Sequence, residues 1–277
     1  MPQYIELNTA DQKKLKAMYV PADKPEAFLV WIPGFAEHKD RYTHFGGWMA
    51  EQKVSFVALD LRGHGDSDGK RGFVKKFEDY FLDVDALLHW TRDVAGDLPF
   101  FLGSHSMGGL VAARYLERGQ LSRPVHAAVM TSPFLGLGVP VPGWKKLLAK
   151  TISGIIPAAA VPAGLDPALL SHDENIVDAY KNDPLVFTKA TARWFMEVVK
   201  HQADVISDAS KIKLPIFVGQ GGADQIVDVQ STRDFQAALG SSDKKYVEYE
   251  GYYHEVLNEV KKDRVYQDIA SFIRERI

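Results

Sequence analysis

The sequence predicts an α/β protein with a mostly parallel central sheet that helices cover on both faces. Two observations support this prediction. Short, continuously apolar runs indicate strands buried on both faces, and longer segments with helical spacing of apolar residues lie between them. The apolar runs are residues 27–32, 54–59, 100–102, 127–130, 216–218 and, more weakly, 246–249. The clearest helical segments are residues 77–94 and 264–273. This alternation is typical of parallel sheets, whose strands need crossover helices.

The N-terminal segment has a different pattern. Residues 4–8 and 15–20 alternate apolar and polar side chains around a short polar link. Alternation with a period of two is typical of strands that bury only one face. We therefore expect an antiparallel hairpin at the start of the chain.

Composition indicates a globular domain and excludes several classes of function. The 277 residues are 46% hydrophobic and 25% charged, which is ordinary for a folded protein. With 33 Lys and Arg against 36 Asp and Glu, the chain has no basic surplus for binding nucleic acid. The absence of cysteine excludes disulfides, thiolate metal sites and cysteine nucleophiles.

Neither a membrane span nor a secretory signal is predicted. The most apolar segment, residues 152–165, is interrupted by prolines and glycines and cannot form a clean spanning helix. The first 20 residues lack a basic region followed by an apolar stretch, which a secretory signal requires. We expect a cytoplasmic protein whose membrane contact, where it occurs, is peripheral.

A long interruption of the alternating pattern predicts an inserted cap. Residues 133–184 contain no strand signal and are rich in Pro, Gly and Ala. A structureless loop of this length is rare inside a compact domain, so we interpret the segment as short helices inserted between two core strands. The predicted division is a core domain of residues 1–132 and 185–277 and a cap, or lid, of residues 133–184.

A short apolar strand, a tight turn and a helical pattern surround Ser106. The turn reads GSHSMGG over residues 103–109. This context is typical of a nucleophile elbow, where the residues two positions before and after the serine must be small. Gly108 meets that demand, whereas Ser104 stands where glycine is usual. We predict Ser106 as the nucleophile; the alternative is a serine that only caps the helix.

A serine nucleophile needs a base, and histidine suits this role near neutral pH. His254 follows the last predicted strand and precedes the final helix. It therefore lies at the carboxyl edge of the sheet, where α/β proteins build their sites. His105 adjoins Ser106, but neighbouring elbow residues point in different directions. We predict His254, not His105, as the base.

The third member of the site must orient the imidazole. Asp224 lies on the loop directly after the strand at 216–218 and is the predicted acid. Asp228 is its competitor, but its position indicates the start of the next helix. The chain order Ser106, Asp224, His254 is that of α/β-hydrolases and differs from the chymotrypsin-like and subtilisin-like orders.

Acyl transfer also requires donors for the negative charge that develops on the carbonyl oxygen. Met107, the first residue after the nucleophile, is one predicted backbone donor. Phe35, in the loop after the strand at 27–32, is the other, and Gly34 allows the backbone to approach closely. The alternative for this loop is a plain Pro-Gly turn.

Together these segments resemble the monoacylglycerol lipase/lysophospholipase family of α/β-hydrolases. The matching segments are PGFAEHKDRY (33–42), LDLRGHGDSDG (59–69), SHSMGG (104–109), DAYKNDPLV (178–186), GQGGADQIVD (219–228) and GYYHEV (251–256). The resemblance implies the α/β-hydrolase fold, lipid ester hydrolysis, the triad and oxyanion roles assigned above, and a lid that lines an acyl-chain pocket. Two positions depart from the family pattern: Pro33 replaces a histidine, and Ser104 replaces a glycine. Neither change removes a reacting group.

No cofactor or metal site is predicted. The glycine-rich stretch 63–69 misses the dinucleotide pattern by one residue and lacks key residues of a phosphate loop. We interpret it as a tight surface turn after a strand. His38 and His44 have no third ligand nearby in sequence, and the HExxH motif is absent.

These observations predict a serine esterase that cleaves a single-chain lipid through an acyl-enzyme. The expected partner is the lipid ester, with transient membrane contact through the cap and no nucleic acid; no oligomeric state is assigned. One alternative is another chemistry on the same fold, such as a general carboxylesterase, thioesterase, peptidase or carbon–carbon hydrolase. The other is a non-catalytic ligand-binding protein, which the complete triad disfavours.

Overall fold

The strands follow the order that the apolar pattern predicts. The structure, a computed structural model, describes residues 1–119, 121, 123–138 and 142–277. Its strands are β1 (Gln3–Asn8), β2 (Lys14–Val20), β3 (Ala27–Ile32), β4 (Val54–Leu59), β5 (Phe100–His105), β6 (Ala127–Thr131), β7 (Ala160–Pro162), β8 (Lys189–Thr191), β9 (Ile216–Gly221) and β10 (Lys244–Tyr249). An eight-stranded sheet has the spatial order β1-β2-β4-β3-β5-β6-β9-β10. The pairings from β4 to β10 are parallel, and β1 and β2 are antiparallel. The predicted N-terminal hairpin and mostly parallel sheet are confirmed.

Helices cover both faces of this sheet. They are α1 (Thr43–Glu51), α2 (Asp79–Ala95), α3 (Met107–Leu116), α4 (Gly143–Ile155), α5 (Glu174–Asn182), α6 (Ala192–Asp208), α7 (Val229–Ala238) and α8 (Asp263–Arg274). Buried side chains of α1 and α8 form the core on one face, and those of α2, α3, α6 and α7 form the core on the other. Among the described helices, none combines the length and apolar character that crossing a bilayer requires.

The central strands form because both of their faces are buried. Every residue of β3, β4 and β5 is buried, as continuous apolar runs require. The last helix illustrates the other pattern: Val265, Ile269 and Phe272 recur at helical spacing and are fully buried. Burial on both faces therefore determines which segments form the central strands. One apolar stripe on a helix determines which of its sides packs against the sheet.

Two central strands are longer than the apolar pattern predicts. Strand β5 continues through residues 103–105, and β9 continues through residues 219–221. These residues are small or polar, so they give no apolar signal. They still pair with neighbouring strands: β3 and β6 flank the end of β5, and β10 pairs with the end of β9. The extra residues carry both strands to the edge of the sheet where the predicted site residues lie.

The connection between β6 and β9 contains the predicted cap. Helices α4 and α5 lie within residues 133–184, and residues 139–141 lie outside the described residues. Strand β7 also lies there, although the sequence gives no strand signal, because three residues are too few to show an alternation. It pairs with β8, which follows residue 184. The predicted division into core and cap remains a prediction.

The glycine-rich turn after β4 is more buried than predicted. Gly63, Gly65 and Gly69 have positive φ angles, as a tight turn requires. His64 is only 1% exposed, however, so the prediction of a surface turn was wrong for this part. The physical reason is the buried Asp60 carboxylate, which needs donors and accepts hydrogen bonds from the backbone N–H groups of Asp66 (2.9 Å) and Lys39 (2.6 Å).

Candidate active site

Ser106, Asp224 and His254 meet at the carboxyl edge of the sheet. They follow β5, β9 and β10, parallel strands whose ends lie at one edge. The His254 Nε2 atom lies 2.9 Å from Ser106 Oγ, and its Nδ1 atom lies 2.7 Å from Asp224 Oδ2. All three residues are at least nine-tenths buried. The structure therefore joins the three predicted residues in one hydrogen-bonded chain.

The backbone at Ser106 has the conformation of a nucleophile elbow. Its φ and ψ angles of 50° and −119° are rare for a residue other than glycine. A Cβ atom added to Gly108 would lie 2.2 Å from the carbonyl oxygen of Ile32, so only glycine fits there. Ser104 is accommodated because its hydroxyl donates to the Val129 carbonyl at 3.4 Å. The departure from glycine at this position thus leaves the elbow intact.

The Asp224 carboxylate is held by four donors. Its Oδ2 atom accepts from His254 and from Gln220 Nε2 (3.1 Å), and its Oδ1 atom accepts from the backbone N–H groups of Ile226 (2.8 Å) and Val227 (3.1 Å). Burial alone would raise the pKa of this carboxyl, but the His254 charge and these hydrogen bonds lower it below its usual value. The carboxylate therefore stays ionised and aligned with the imidazole.

Asp228, the competing acid, has a different place. It precedes α7, and its side chain accepts hydrogen bonds from the backbone N–H groups of Gln230 and Ser231. This is helix N-capping, as the sequence position predicts.

The charges around His254 favour the protonated form of its imidazole. Burial would lower its pKa, but the Asp224 carboxylate, aided by Glu255 and Glu37, raises it above the ordinary value. Because Nδ1–H donates to Asp224, Nε2 is free to accept the Ser106 proton. His105 lies with its ring centroid 4.8 Å from that of His254, and burial together with the His254 charge lowers its pKa to about 3. His105 therefore stays neutral.

The two predicted oxyanion donors have free backbone N–H groups. Within the described part of the chain, neither the Phe35 nor the Met107 N–H has a hydrogen-bond partner. Met107 is the first residue of α3, where the helix dipole also favours negative charge. A Cβ atom added to Gly34 would lie 3.0 Å from Ser106 Cβ, so the loop that carries Phe35 runs directly beside Ser106.

Aromatic packing fixes the side chain of Phe35. Its ring centroid lies 4.1 Å from that of Trp194, 5.1 Å from that of Phe187 and 5.8 Å from that of His64. Trp194 belongs to α6, and His64 belongs to the buried turn after β4. The loop that carries Phe35 is therefore anchored to the turn after β4 and to the segment that follows the predicted cap, including α6.

The predicted cap contacts the loops that carry the triad. The carbonyl groups of Leu169 and Leu170 accept hydrogen bonds from the N–H groups of His254 (3.5 Å) and Glu255 (2.8 Å). At the start of the cap, Leu137 pairs with Val227, three residues beyond Asp224. The cap segment therefore lies against both the histidine loop and the acid loop.

Sequence reasoning missed several residues that hold the site. Gln220 orients the acid, and Glu37 accepts the N–H of Gly34 at 2.6 Å. The spacing of Glu37 and Arg41, four residues apart and directly after the loop that carries Phe35, was the available signal for a buried ion pair. His38 Nε2 lies 2.7 Å from Asp183 Oδ2 and so joins this loop to the predicted cap.

One further group has the spacing of a metal site. Ligand atoms of Glu78, Glu197 and His201 lie within 4.8 Å of one another. However, Arg114 Nε–H donates to His201 Nδ1 at 3.3 Å, so the neutral ring carries its proton on Nε2. That protonated atom faces Glu78 at 3.4 Å and is unavailable to an ion. The sequence prediction of no metal stays a prediction, and this tautomer favours it.

A nucleophile elbow followed in the chain by an acid and a histidine, all at the carboxyl edge of a mostly parallel sheet, defines the α/β-hydrolase class. A family model described as "Serine aminopeptidase, S33" matches residues 23–261. The chain belongs to this family, and its relatives make it a member of the monoacylglycerol lipase/lysophospholipase family of α/β-hydrolases. The family and fold that the sequence predicts are confirmed.

Two relatives and one solved structure illustrate the similarity. Phospholipase YtpA of Bacillus subtilis is 33% identical over 256 residues, which are 91% of this chain and 96% of the relative. Monoglyceride lipase of Homo sapiens is 30% identical over 281 residues, with 98% and 90% of the two chains covered. The crystal structure of Paleococcus ferrophilus monoacylglycerol lipase has a TM-score of 0.85 and 28% identity, and covers 95% of this chain and 99% of that one.

Proposed function

We propose that the protein is a serine hydrolase that cleaves carboxylic esters of single-chain lipids, monoacylglycerols or lysophospholipids, through an acyl-enzyme. The observation that carries the proposal is the hydrogen-bonded chain from Ser106 through His254 to Asp224. The similarity to a phospholipase and to a monoglyceride lipase supports a lipid ester as the substrate.

The first half of the reaction transfers the acyl group to the enzyme. His254 takes the Ser106 proton as the hydroxyl oxygen attacks the ester carbonyl, and Asp224 stabilises the resulting imidazolium. The carbonyl oxygen becomes negatively charged and accepts hydrogen bonds from the Phe35 and Met107 N–H groups. Collapse of the tetrahedral intermediate breaks the ester bond, and the leaving alcohol takes the proton from His254.

The second half releases the fatty acid. Water enters, His254 takes one of its protons, and the water oxygen attacks the acyl-enzyme carbonyl. The same two N–H groups hold the second oxyanion. When the bond to Ser106 Oγ breaks, His254 returns the proton to the serine. The fatty acid leaves, and the triad is restored for the next substrate.

A substrate panel tests this function against its alternatives. We expect the purified protein to hydrolyse monoacylglycerols or lysophospholipids faster than simple methyl esters of the same chain length. The proposed substrates have a polar head group beside the acyl chain, and a methyl ester lacks it. Aminoacyl arylamides, suggested by the aminopeptidase description of the family, should be poor substrates. Faster cleavage of the arylamides, or of acyl thioesters, would overturn the assignment, as would the failure of all these substrates.

We also propose that residues 133–184 act as a lid that rests on a membrane interface while substrate enters. The exposed face of α4 supports this: Trp144, Leu147 and Ile155 are 64%, 67% and 74% exposed, at positions that share one side of the helix. Residues 133–165 include three lysines and no acidic residue, which favours an anionic lipid surface. The cytoplasmic location expected from the sequence stays a prediction.

Vesicle sedimentation tests this membrane contact. We expect the double variant Leu147→Ser/Leu148→Ser to bind vesicles of phosphatidylcholine and phosphatidylglycerol about tenfold less tightly than the unmodified protein, because burying two leucines in lipid contributes a few kcal/mol. Val94→Ser is the matched control, since Val94 is an exposed apolar residue on α2. Equal vesicle binding by the double variant and the control would refute the contact.

A further inference from the structure

The loop that carries Phe35 has a backbone that must be held in place. Ala36 has a φ of 61°, a left-handed conformation that residues other than glycine rarely adopt. Such a conformation persists only where the surroundings enforce it. Gly34, Ala36 and Glu37 are all buried, and the loop lies against the nucleophile. Whatever holds this loop therefore also sets the direction of the Phe35 N–H.

The side chain of Glu37 returns to its own loop. Its Oε2 atom accepts the N–H of Gly34 at 2.6 Å and the hydroxyl of Tyr42 at 2.7 Å. Tyr42 is fully buried, and burial together with the Glu37 charge raises its pKa well above the usual value, so its hydroxyl remains a donor. The carboxylate thus links the two ends of the turn from residue 34 to residue 37. The Gly34 N–H is already hydrogen-bonded within this turn, unlike the Phe35 N–H that follows it.

Arg41 extends this arrangement to the histidine loop. Its Nη2 atom donates to both carboxylate oxygens of Glu255 at 2.7 Å, and its Nε atom lies 3.5 Å from Glu37 Oε1. The guanidinium also lies over the Tyr180 ring, 4.7 Å from the centroid. Glu255 is the residue after His254. A single buried cation therefore connects the loop of the oxyanion donor to the loop of the base.

We propose that Glu37 is a positioning residue for the reaction: its carboxylate fixes the Gly34–Phe35 turn so that the Phe35 N–H stays directed at the developing oxyanion, and Arg41 keeps that turn in register with the histidine loop. This inference rests on the proposed hydrolase function. An oxyanion donor acts in the transition state more than in substrate binding, so loss of its alignment lowers kcat and leaves KM nearly unchanged.

Steady-state kinetics on a soluble ester, with active sites counted by a fluorophosphonate probe, test the proposal. We expect Glu37→Ala to lower kcat about 100-fold per active site, because a misplaced donor costs roughly that factor. Glu37→Gln retains an oxygen that can accept the Gly34 N–H, so it should recover most of this loss. Tyr42→Phe, which removes one of the two donors to the carboxylate, should lower kcat about threefold to tenfold. Glu26→Gln, a surface glutamate paired with Lys53, is the control.

A transition-state analogue supplies a readout that a purely structural role would not change. An alkyl boronic acid forms a tetrahedral anion with the serine, so its inhibition constant should rise in the same proportion as kcat/KM falls across these variants. The affinity of a neutral, non-reacting ester analogue should stay constant. If Glu37→Ala does not fold, Tyr42→Phe and Glu37→Gln still provide the comparison.

The pH profile distinguishes the charge of Glu37 from its hydrogen bonds. The groups that face His254 are the carboxylates of Asp224, Glu255 and Glu37 and the neutral ring of His105. Glu37→Gln removes one negative charge, so the acid limb of kcat/KM should move to lower pH, whereas Tyr42→Phe should leave it in place.

Different results would refute the proposed hydrolase function and the positioning role of Glu37. An unmodified protein that neither reacts with the fluorophosphonate at Ser106 nor hydrolyses esters would refute the proposed function. A reactive and active protein whose Glu37→Ala and Tyr42→Phe variants keep the kcat and boronate affinity of the Glu26→Gln control would refute the role of Glu37 alone.

Discussion

Replacement of Ser106 by alanine is expected to lower kcat/KM for ester hydrolysis by roughly 10⁴-fold or more. The reason is chemical: in the proposed reaction the hydroxyl oxygen attacks the ester, and no other described hydroxyl contacts the Nε2 atom of His254. The oxyanion donors would remain and would support only slow attack by water. Initial rates with a short p-nitrophenyl ester measure the change.

The matched control for this variant is Ser207→Ala. Ser207 is exposed on α6, and its hydroxyl donates only to the carbonyl of Asp204 in the preceding turn. The control should keep the rate of the unmodified protein, and both variants should show its circular dichroism and thermal midpoint. Hydrolysis by Ser106→Ala at more than a tenth of the normal rate would contradict the assignment of the nucleophile.

Replacement of Asp224 by asparagine is expected to lower kcat by roughly 10³- to 10⁴-fold. The asparagine can direct its NH₂ group at the His254 Nδ1 atom, which would then act as an acceptor. The ring proton would move to Nε2, the atom 2.9 Å from Ser106 Oγ, and the imidazole could no longer take the serine proton. The size is preserved and the asparagine oxygen can still accept from Ile226 and Val227, although the acceptor for Gln220 Nε2 is lost, so stability should change less than activity.

Asp228→Asn is the comparison that decides between the two candidate acids. Asparagine caps helices about as well as aspartate, so the hydrogen bonds to Gln230 and Ser231 can persist. We expect its kcat to stay within about twofold of the unmodified protein. A larger loss in Asp228→Asn than in Asp224→Asn would reverse the roles assigned to these residues.

Much of the fold was predictable because burial leaves a clear pattern in the sequence. Continuous apolar runs identified β3 and β4 to the residue, since both faces of these strands are covered. The ends of β5 and β9 were not predictable in the same way. Gly103 is small because a Cβ atom there would lie 2.3 Å from the Trp31 ring, and Gln220 is polar because its amide donates to Asp224.

The candidate site was predictable to the extent that its chemistry demands particular residue types. A nucleophile, an acid and a base must lie at strand ends in a fixed chain order, and this narrowed nine histidines to His254. The supporting contacts were less accessible. Glu37 and Arg41 belong to residue types that are mostly exposed, and only their three-dimensional pairing with Tyr42 and Glu255 explains the burial of their side chains.

The hydrogen bonds that join Leu169 and Leu170 to the histidine loop divide the predicted cap into two parts with different attachments. Among the described residues, the outer part at 142–165 shares no such bond with that loop and is bonded instead to β8 and α6, whereas the segment at 169–172 is bonded to the histidine loop. An enzyme built in this way can evolve its preference for acyl length in the outer part without retuning its acid–base chemistry. Directed evolution of chain-length selectivity should therefore concentrate its mutations between residues 142 and 165.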